Sequence, residues 1–229
     1  MGDAAAEVIR SAALAGVAHG FLNAGQSDAR RFELVSHRFG PVEVKQVHSA
    51  AALIVDAPFT GDLPEADALV TATPGLALAI RTADCAPVLL ADRTAGVVAA
   101  AHAGWRGAVS GVLEATVVAM AQLGATPANI IAAVGPTIAR YSYEVDEAFR
   151  ARLVHGAPDN ARFFAPGRPG HHQFDLPAYV AARLYAAGVG AVDDLALDTY
   201  AEPARFHSYR RATHRGEPAD GRLYSVISL

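Results

Sequence analysis

Apolar positions in this chain fall mainly into short runs separated by turn-forming residues, the pattern of strands rather than of long helices. Ala68-Leu69-Val70-Thr71, Leu76 to Thr82, Val88 to Ala91 and Val97 to Ala101 are four such runs in succession. Asp92-Arg93-Thr94-Ala95-Gly96 predicts a hairpin turn between the last two. An earlier strand is expected over Val17 to Leu22, followed by a polar turn from Asn23 to Asp28. Val42, Val44 and Val47 lead into Lys45-Gln46-Val47-His48, read as a short strand ending on a polar cluster. Ile130 to Val134, closed by Gly135-Pro136, and the alternating stretch Leu223 to Ser228 complete the strand set.

Helical spacing is clearest at Val109, Val112, Leu113, Thr116, Val117 and Met120, with Gly124 placed where a C-terminal cap belongs. Val145 to Val154 and Leu176 to Ala187 are also expected to be helical, the second opened by Asp175 as cap and Pro177 in its first turn. The alanine-rich segment Met1 to Gly16 predicts an N-terminal helix, and the Pro- and Gly-rich segment Gly156 to His172 a loop. Strands interspersed with helices, without repeat or linker, predict one compact α/β (mixed α+β) domain over residues 1–229, its mixed β-sheets flanked by helices.

Composition narrows the class. With 229 residues, 52% hydrophobic and 18% charged, the chain can bury a sizeable core, which excludes disordered and collagen-like classes. Nineteen Lys and Arg against 23 Asp and Glu give a net charge of −4, so no basic footprint marks a nucleic-acid or anionic-membrane partner. A single cysteine, Cys85, excludes an intrachain disulfide and suits a reducing compartment. Asp3, Glu7 and Arg10 break the apolar character of the N-terminus, and no apolar run approaches the roughly 20 residues that span a bilayer. The expectation is a cytoplasmic protein.

Candidate chemistry sits at strand ends in Lys45-Gln46-Val47-His48, Arg81-Thr82-Ala83-Asp84-Cys85-Ala86-Pro87 and Ala101-His102-Ala103-Gly104-Trp105-Arg106-Gly107. Two imidazoles and a thiolate form a sound three-ligand zinc set that leaves a fourth position open. The separations, 37 residues from 48 to 85 and 17 from 85 to 102, match no local metal signature. Cys85 among alanines also reads as a buried small hydrophobe, His102 as a structural strand-end histidine, and Trp105 and Arg106 as packing and capping residues. Asp84 reads equally as a residue orienting a ligand or as a turn residue. A metal-free alternative uses Cys85 as nucleophile, His48 or His102 as base and Asp84 as orienter. Late arginines, among them Arg210, Arg211, Arg215 and Arg222, could hold an anionic substrate or form a solvated face.

Taken with Ala66-Asp67-Ala68-Leu69-Val70-Thr71, Gly135-Pro136-Thr137-Ile138, Tyr143-Glu144-Val145 and Phe206-His207-Ser208-Tyr209-Arg210-Arg211, these segments resemble, in order, the laccase-domain family once called multicopper polyphenol oxidases. The resemblance covers nearly all of the chain from about residue 17 and is most specific around Cys85 and His102. It implies a zinc ion held by His48, Cys85 and His102, with copper the second choice. It further implies a compact α/β fold shared with bacterial cysteine-hydrolase-like domains. The implied activity is phosphorolysis of adenosine, inosine, guanosine or methylthioadenosine, with adenosine deamination alongside, so the partners expected are a nucleoside and inorganic phosphate. Catalytic roles fall to His48, Asp84, Cys85 and His102, and substrate contacts to Gln46, Arg106 and Arg210. One Cys and two His cannot furnish several copper centres, which argues against the oxidase name. Editing of peptidoglycan precursors by an amidase reaction is the alternative function, and a metal-binding protein acting through a partner a third. The chain departs from the family in a shortened Asn23-Ala24-Gly25-Gln26-Ser27 segment and in Asp198-Thr199-Tyr200, where relatives carry a cysteine before the threonine.

Overall fold

The computed structural model describes residues 6–26 and 40–229. Its centre is a six-stranded mixed sheet, ordered β12-β8-β6-β7-β4-β3. The strands are β3 (Ala52–Ile54), β4 (Ala68–Thr71), β6 (Ala86–Asp92), β7 (Val97–Ala103), β8 (Ile131–Val134) and β12 (Ala191–Asp194). β12 runs parallel to β8 and β3 parallel to β4, while the inner pairs are antiparallel. The four innermost strands read as near-continuous apolar runs because both of their faces are covered. On β6, Val88 and Leu90 face a core shared with helices α2 (Val112–Gln122) and α4 (Leu176–Ala186), whereas Leu89 and Ala91 face a second sheet.

That second sheet is antiparallel, in the order β1 (Val8–Ile9), β2 (Ala18–Leu22), β13 (Leu223–Ser228) and β5 (Ala77–Thr82). Phe21, Leu78, Ile80 and Ile227 fill the space between the sheets, giving helix, sheet and sheet layers. A small third sheet of β9 (Glu144–Asp146), β10 (Phe164–Pro166) and β11 (His171–Phe174) lies beside the helical layer. Among the described residues no helix is long and apolar enough to cross a membrane.

The predicted mixed α/β architecture is therefore present, as are β2, β4 to β8, β13 and the Asp92–Gly96 hairpin. The long helix expected around residues 109–120 is divided into α1 (Trp105–Ser110) and α2 by Gly111, whose φ of 100° the helix cannot accommodate. Asp175 caps α4 by accepting from the Ala178 N–H, as expected. The helix predicted from Val145 begins as strand β9, with α3 (Glu147–Val154) following behind the Asp146 cap. The expected loop at 156–172 contains a 3-10 segment, Pro158–Phe163, and most of the β10–β11 hairpin, because Phe163, Phe164 and Phe174 bury their rings against the helical layer. Lys45 to His48 forms no regular strand: Lys45 makes an isolated bridge to Glu65, the chain bends at His48 with φ 60°, and its hydrogen bonds pass to Pro64 and to the Asp67 side chain.

The N-terminal helix over Met1–Gly16 is not formed in its described part, residues 1–5 lying outside it: Val8–Ile9 is a strand and Ala12–Leu14 one 3-10 turn. An isolated helix this short is marginal, and tertiary partners capture its backbone instead. The buried His19 ring accepts from the Ser11 N–H at 3.0 Å and donates to the Val17 carbonyl at 2.8 Å. The polar turn at Asn23–Asp28 is described only to Gln26, where Asn23 Oδ1 accepts from the Gly25 N–H.

Burial, seconded by Arg10, lowers the His19 pKa below its ordinary 6.5. The unfolded chain then binds more protons than the folded one below pH 6.5. The stability that neutral His19 contributes is complete above that value and declines as pH falls through it. Urea unfolding followed from pH 7.5 down to 5.5 should show a decline in unfolding free energy that is shallower in His19→Gln, and equal slopes would contradict the assignment.

Candidate metal centre

Strand register assembles the site. Ala86 pairs with Ala103, so Cys85 lies opposite Gly104 one step beyond the β6–β7 ladder. Ala68 pairs with Ala101, so Asp67 lies opposite His102. His48 arrives on the loop before β3. The ligand atoms of His48, Cys85 and His102 all lie within 4.8 Å of one another, with Cys85 Sγ 3.8 Å from His48 Nε2. A tetrahedral zinc ion with ordinary bond lengths separates sulfur and nitrogen ligands by about 3.6 Å. The two imidazoles meet edge to face, 4.8 Å between centroids. Gly104 leaves the space they need, since a Cβ there would lie 2.8 Å from Cys85 Sγ and 2.9 Å from His48 Cδ2. The donor set and its spacing thus fit a metal ion with one open position.

A buried carboxylate holds two of the three ligands. Asp67 is fully buried; its Oδ1 accepts from His102 Nδ1 at 2.8 Å and from the His48 N–H at 2.9 Å. Its Oδ2 accepts from the N–H and hydroxyl of Ser49 and, at 3.3 Å, from the Val47 N–H. With Nδ1–H donated to Asp67, His102 turns Nε2 toward the cluster. Burial alone would raise the Asp67 pKa, but hydrogen bonds from His102 and Ser49 outweigh it and bring it to about 2. Burial likewise opposes ionisation at Cys85 and His102. Hydrogen bonds from His102 and His48 nevertheless lower the thiol to about 6, and those from Asp67 and Cys85 raise the imidazole to about 9.

Around this cluster lies a cleft of about 810 Å³. Arg106 lies over the Trp105 ring at 5.2 Å and Arg210 over the Tyr143 ring at 5.1 Å, and both line the cleft. Arg210 Nη1 also donates to the Glu144 carbonyl at 2.7 Å. Among the described residues neither guanidinium forms a salt bridge.

The predicted residues Gln46, His48, Asp84, Cys85, His102, Arg106 and Arg210 all line this cleft, but two of them face inward to the scaffold. The Gln46 amide is engaged on both sides by the Arg81 backbone, at 2.7 and 2.8 Å. Asp84, with φ 80°, accepts from the Thr199 hydroxyl through Oδ1 and from the Arg210 N–H through Oδ2, each at 2.6 Å. Its carbonyl accepts from Thr137 and Ile138, so it joins the Cys85 loop to α5 (Tyr209–Arg215). The orienting role expected of Asp84 falls to Asp67. An acid immediately ahead of the apolar run 68–70 was the available signal, because a buried carboxylate needs partners. Tyr143, Arg81 and Arg222 also line the cleft.

A compact α/β domain carrying one His–Cys–His metal triad on a cationic cleft defines the class. The family model described as multi-copper polyphenol oxidoreductase laccase matches residues 26–229, and the chain belongs to that family. It is 46% identical to a purine nucleoside phosphorylase of Streptomyces coelicolor, over 82% of this chain and 74% of that one. It is 37% identical to a purine nucleoside phosphorylase of Rickettsia conorii, over 81% and 77%. Among solved structures, YlmD from Geobacillus stearothermophilus superposes with a TM-score of 0.80 at 26% identity, covering 95% of this chain and 93% of that one. A Neisseria meningitidis protein gives 0.74 at 37% identity, covering 82% and 74%.

Asp67→Asn keeps the size of the side chain and removes its charge. Loss of such an outer partner should weaken metal binding by about 10- to 100-fold. Competition with a chromophoric chelator measures it, and unchanged affinity would contradict the role given to Asp67.

Proposed function

We propose that the protein is a zinc-dependent purine nucleoside phosphorylase acting on adenosine, inosine, guanosine and methylthioadenosine, with adenosine deamination as a side activity. The observation that carries this reading is the pairing, in one cleft, of the three-ligand cluster with the Arg106 and Arg210 guanidinium groups, which form no salt bridge among the described residues. The relatives named as purine nucleoside phosphorylases support it.

In phosphorolysis an oxygen of hydrogen phosphate bonds to ribose C1′ as the C1′–N9 bond breaks. The electron pair leaves with the purine, which ends with the proton that phosphate carried. His48, Cys85 and His102 would hold the ion, which supplies Lewis acidity when bound. Arg106 and Arg210 hold phosphate by their N–H edges, their planes braced on Trp105 and Tyr143. Asp67 keeps the two histidines aimed, and Asp84 and Gln46 fix the segments that carry Arg210 and His48. Asp84 therefore positions rather than moves protons, since both its oxygens are already engaged.

A second reading rests on the chain Asp67–His102–Cys85, which has the order of orienter, base and nucleophile in a thiol hydrolase. It would serve amide cleavage in a peptidoglycan precursor. A metal-bound thiolate loses that nucleophilicity, so metal content separates the two readings.

Adenosine and inosine incubated with zinc-loaded protein should yield adenine and hypoxanthine, resolved by chromatography, only when phosphate is present. Cys85→Ala and His102→Ala should lose zinc and turnover together. Full activity in a zinc-free His102→Ala protein would sink the proposal, while amino-acid release from a muramyl precursor without purine release would favour the hydrolase.

A further inference from the structure

The ring of Tyr143 serves above as the face under Arg210, but its hydroxyl has no role there, although the side chain lines the same cleft. The ring is fixed by Phe149 and Phe174, at centroid distances of 6.1 and 5.7 Å, and by the Arg210 guanidinium on its face at 5.1 Å. Its backbone is held as well, its N–H donating to the Arg140 carbonyl at 3.2 Å and its carbonyl accepting from Phe174 at 2.9 Å. The side chain lines the cleft, and its hydroxyl has no hydrogen-bond partner among the described residues. The charges that act on it belong to Cys85, Arg210, Asp84 and Arg106. It thus presents an unused polar atom in the cleft that Arg106, Arg210 and the three-ligand cluster also line.

We propose that the Tyr143 hydroxyl completes the anion subsite of this cleft, donating a hydrogen bond to the phosphate held by Arg106 and Arg210. This rests on the phosphorylase reading. Two guanidinium forks leave phosphate oxygens unengaged, and a phenol supplies one further donor in a fixed position. Burial in the first place, and then the neighbouring Cys85 charge, push the phenol well above its ordinary range, so the group stays a neutral donor at every working pH. Of the other cations of the cleft, Lys45 pairs with Glu65 at 2.9 Å and Arg81 with Glu43 at 3.5 Å, while Nη1 of Arg222 donates to the Ala219 and Gly221 carbonyls at 2.8 Å, as Nη1 of Arg210 does to that of Glu144. Among the described arginines that line the cleft, Arg106 and Arg210 are the two laid on aromatic faces, Arg210 on that of Tyr143, which puts the hydroxyl beside the proposed phosphate end.

Tyr143→Phe removes a single oxygen and leaves the ring packing in place. Binding of inorganic phosphate to the zinc-loaded protein is measured by titration calorimetry without nucleoside, and the KM values for phosphate and inosine are determined separately. Phosphate affinity should fall about 10- to 100-fold, the loss expected for one hydrogen bond to a charged group, with the inosine KM unchanged. In the wild-type protein, phosphate should also perturb tyrosine ultraviolet absorption, a readout that needs no variant. Unchanged phosphate affinity in Tyr143→Phe, or a raised inosine KM in its place, overturns the assignment. If purine release by the wild type depends on phosphate while the variant binds phosphate equally well, the inference fails and the phosphorylase reading stands. A wild-type protein that neither binds phosphate nor needs it overturns both.

Discussion

The carboxylate of Asp67 is the constraint on which the site depends. A fully buried, ionised carboxylate costs several kcal/mol in desolvation unless donors surround it. Here they come from two directions: three backbone N–H groups and a hydroxyl from Val47 to Ser49, and the imidazole of His102. Satisfying the charge and aiming the histidines are therefore one event. It also accounts for the unusual backbone of His48, whose φ of 60° places a non-glycine residue in the left-handed region. That conformation persists because Asp67 holds the residues on either side of it.

A second carboxylate, that of Asp84, does the same work for the opposite wall. Its φ is also positive, at 80°, and its oxygens draw Thr199 and Arg210 toward the loop that carries Cys85. The remaining wall is aromatic: Trp105 packs on Phe149 at 4.8 Å, and Phe149 in turn on Tyr143. Guanidinium groups laid on such faces keep their N–H edges free for a planar or tetrahedral anion. The cleft is thus anchored where the three candidate ligands meet and braced where it carries charge.

Much of this was legible in the sequence, for reasons that differ by element. Strands β4 to β8 announce themselves because strands buried on both faces must be apolar throughout. The three ligands could be named from motif resemblance, but their meeting could not be derived from separations of 37 and 17 residues, since it depends on β-register. Asp67 and Asp84 are both acids beside apolar runs, and only the fold shows which one reaches a histidine. The N-terminal segment went the other way: alanine propensity points to helix, and the His19 ring and the β2 edge override it. Helix α5 was missed because a seven-residue turn of Tyr, Arg and His carries no apolar period.

The strand that comes last in the chain is not at an edge. β13 lies between β2 and β5, pairing with both, and the segments just before it bring Arg210 and Arg222 to the cleft. During synthesis on the ribosome, β2 and β5 emerge early and wait without their common neighbour until nearly the whole chain has been made. Ion capture by the early residues His48, Cys85 and His102 can then precede closure of the second sheet, whereas an anion-ready cleft cannot. The order of translation thus presents the three candidate ligands before the last strand and the Arg210 wall of the cleft can fall into place.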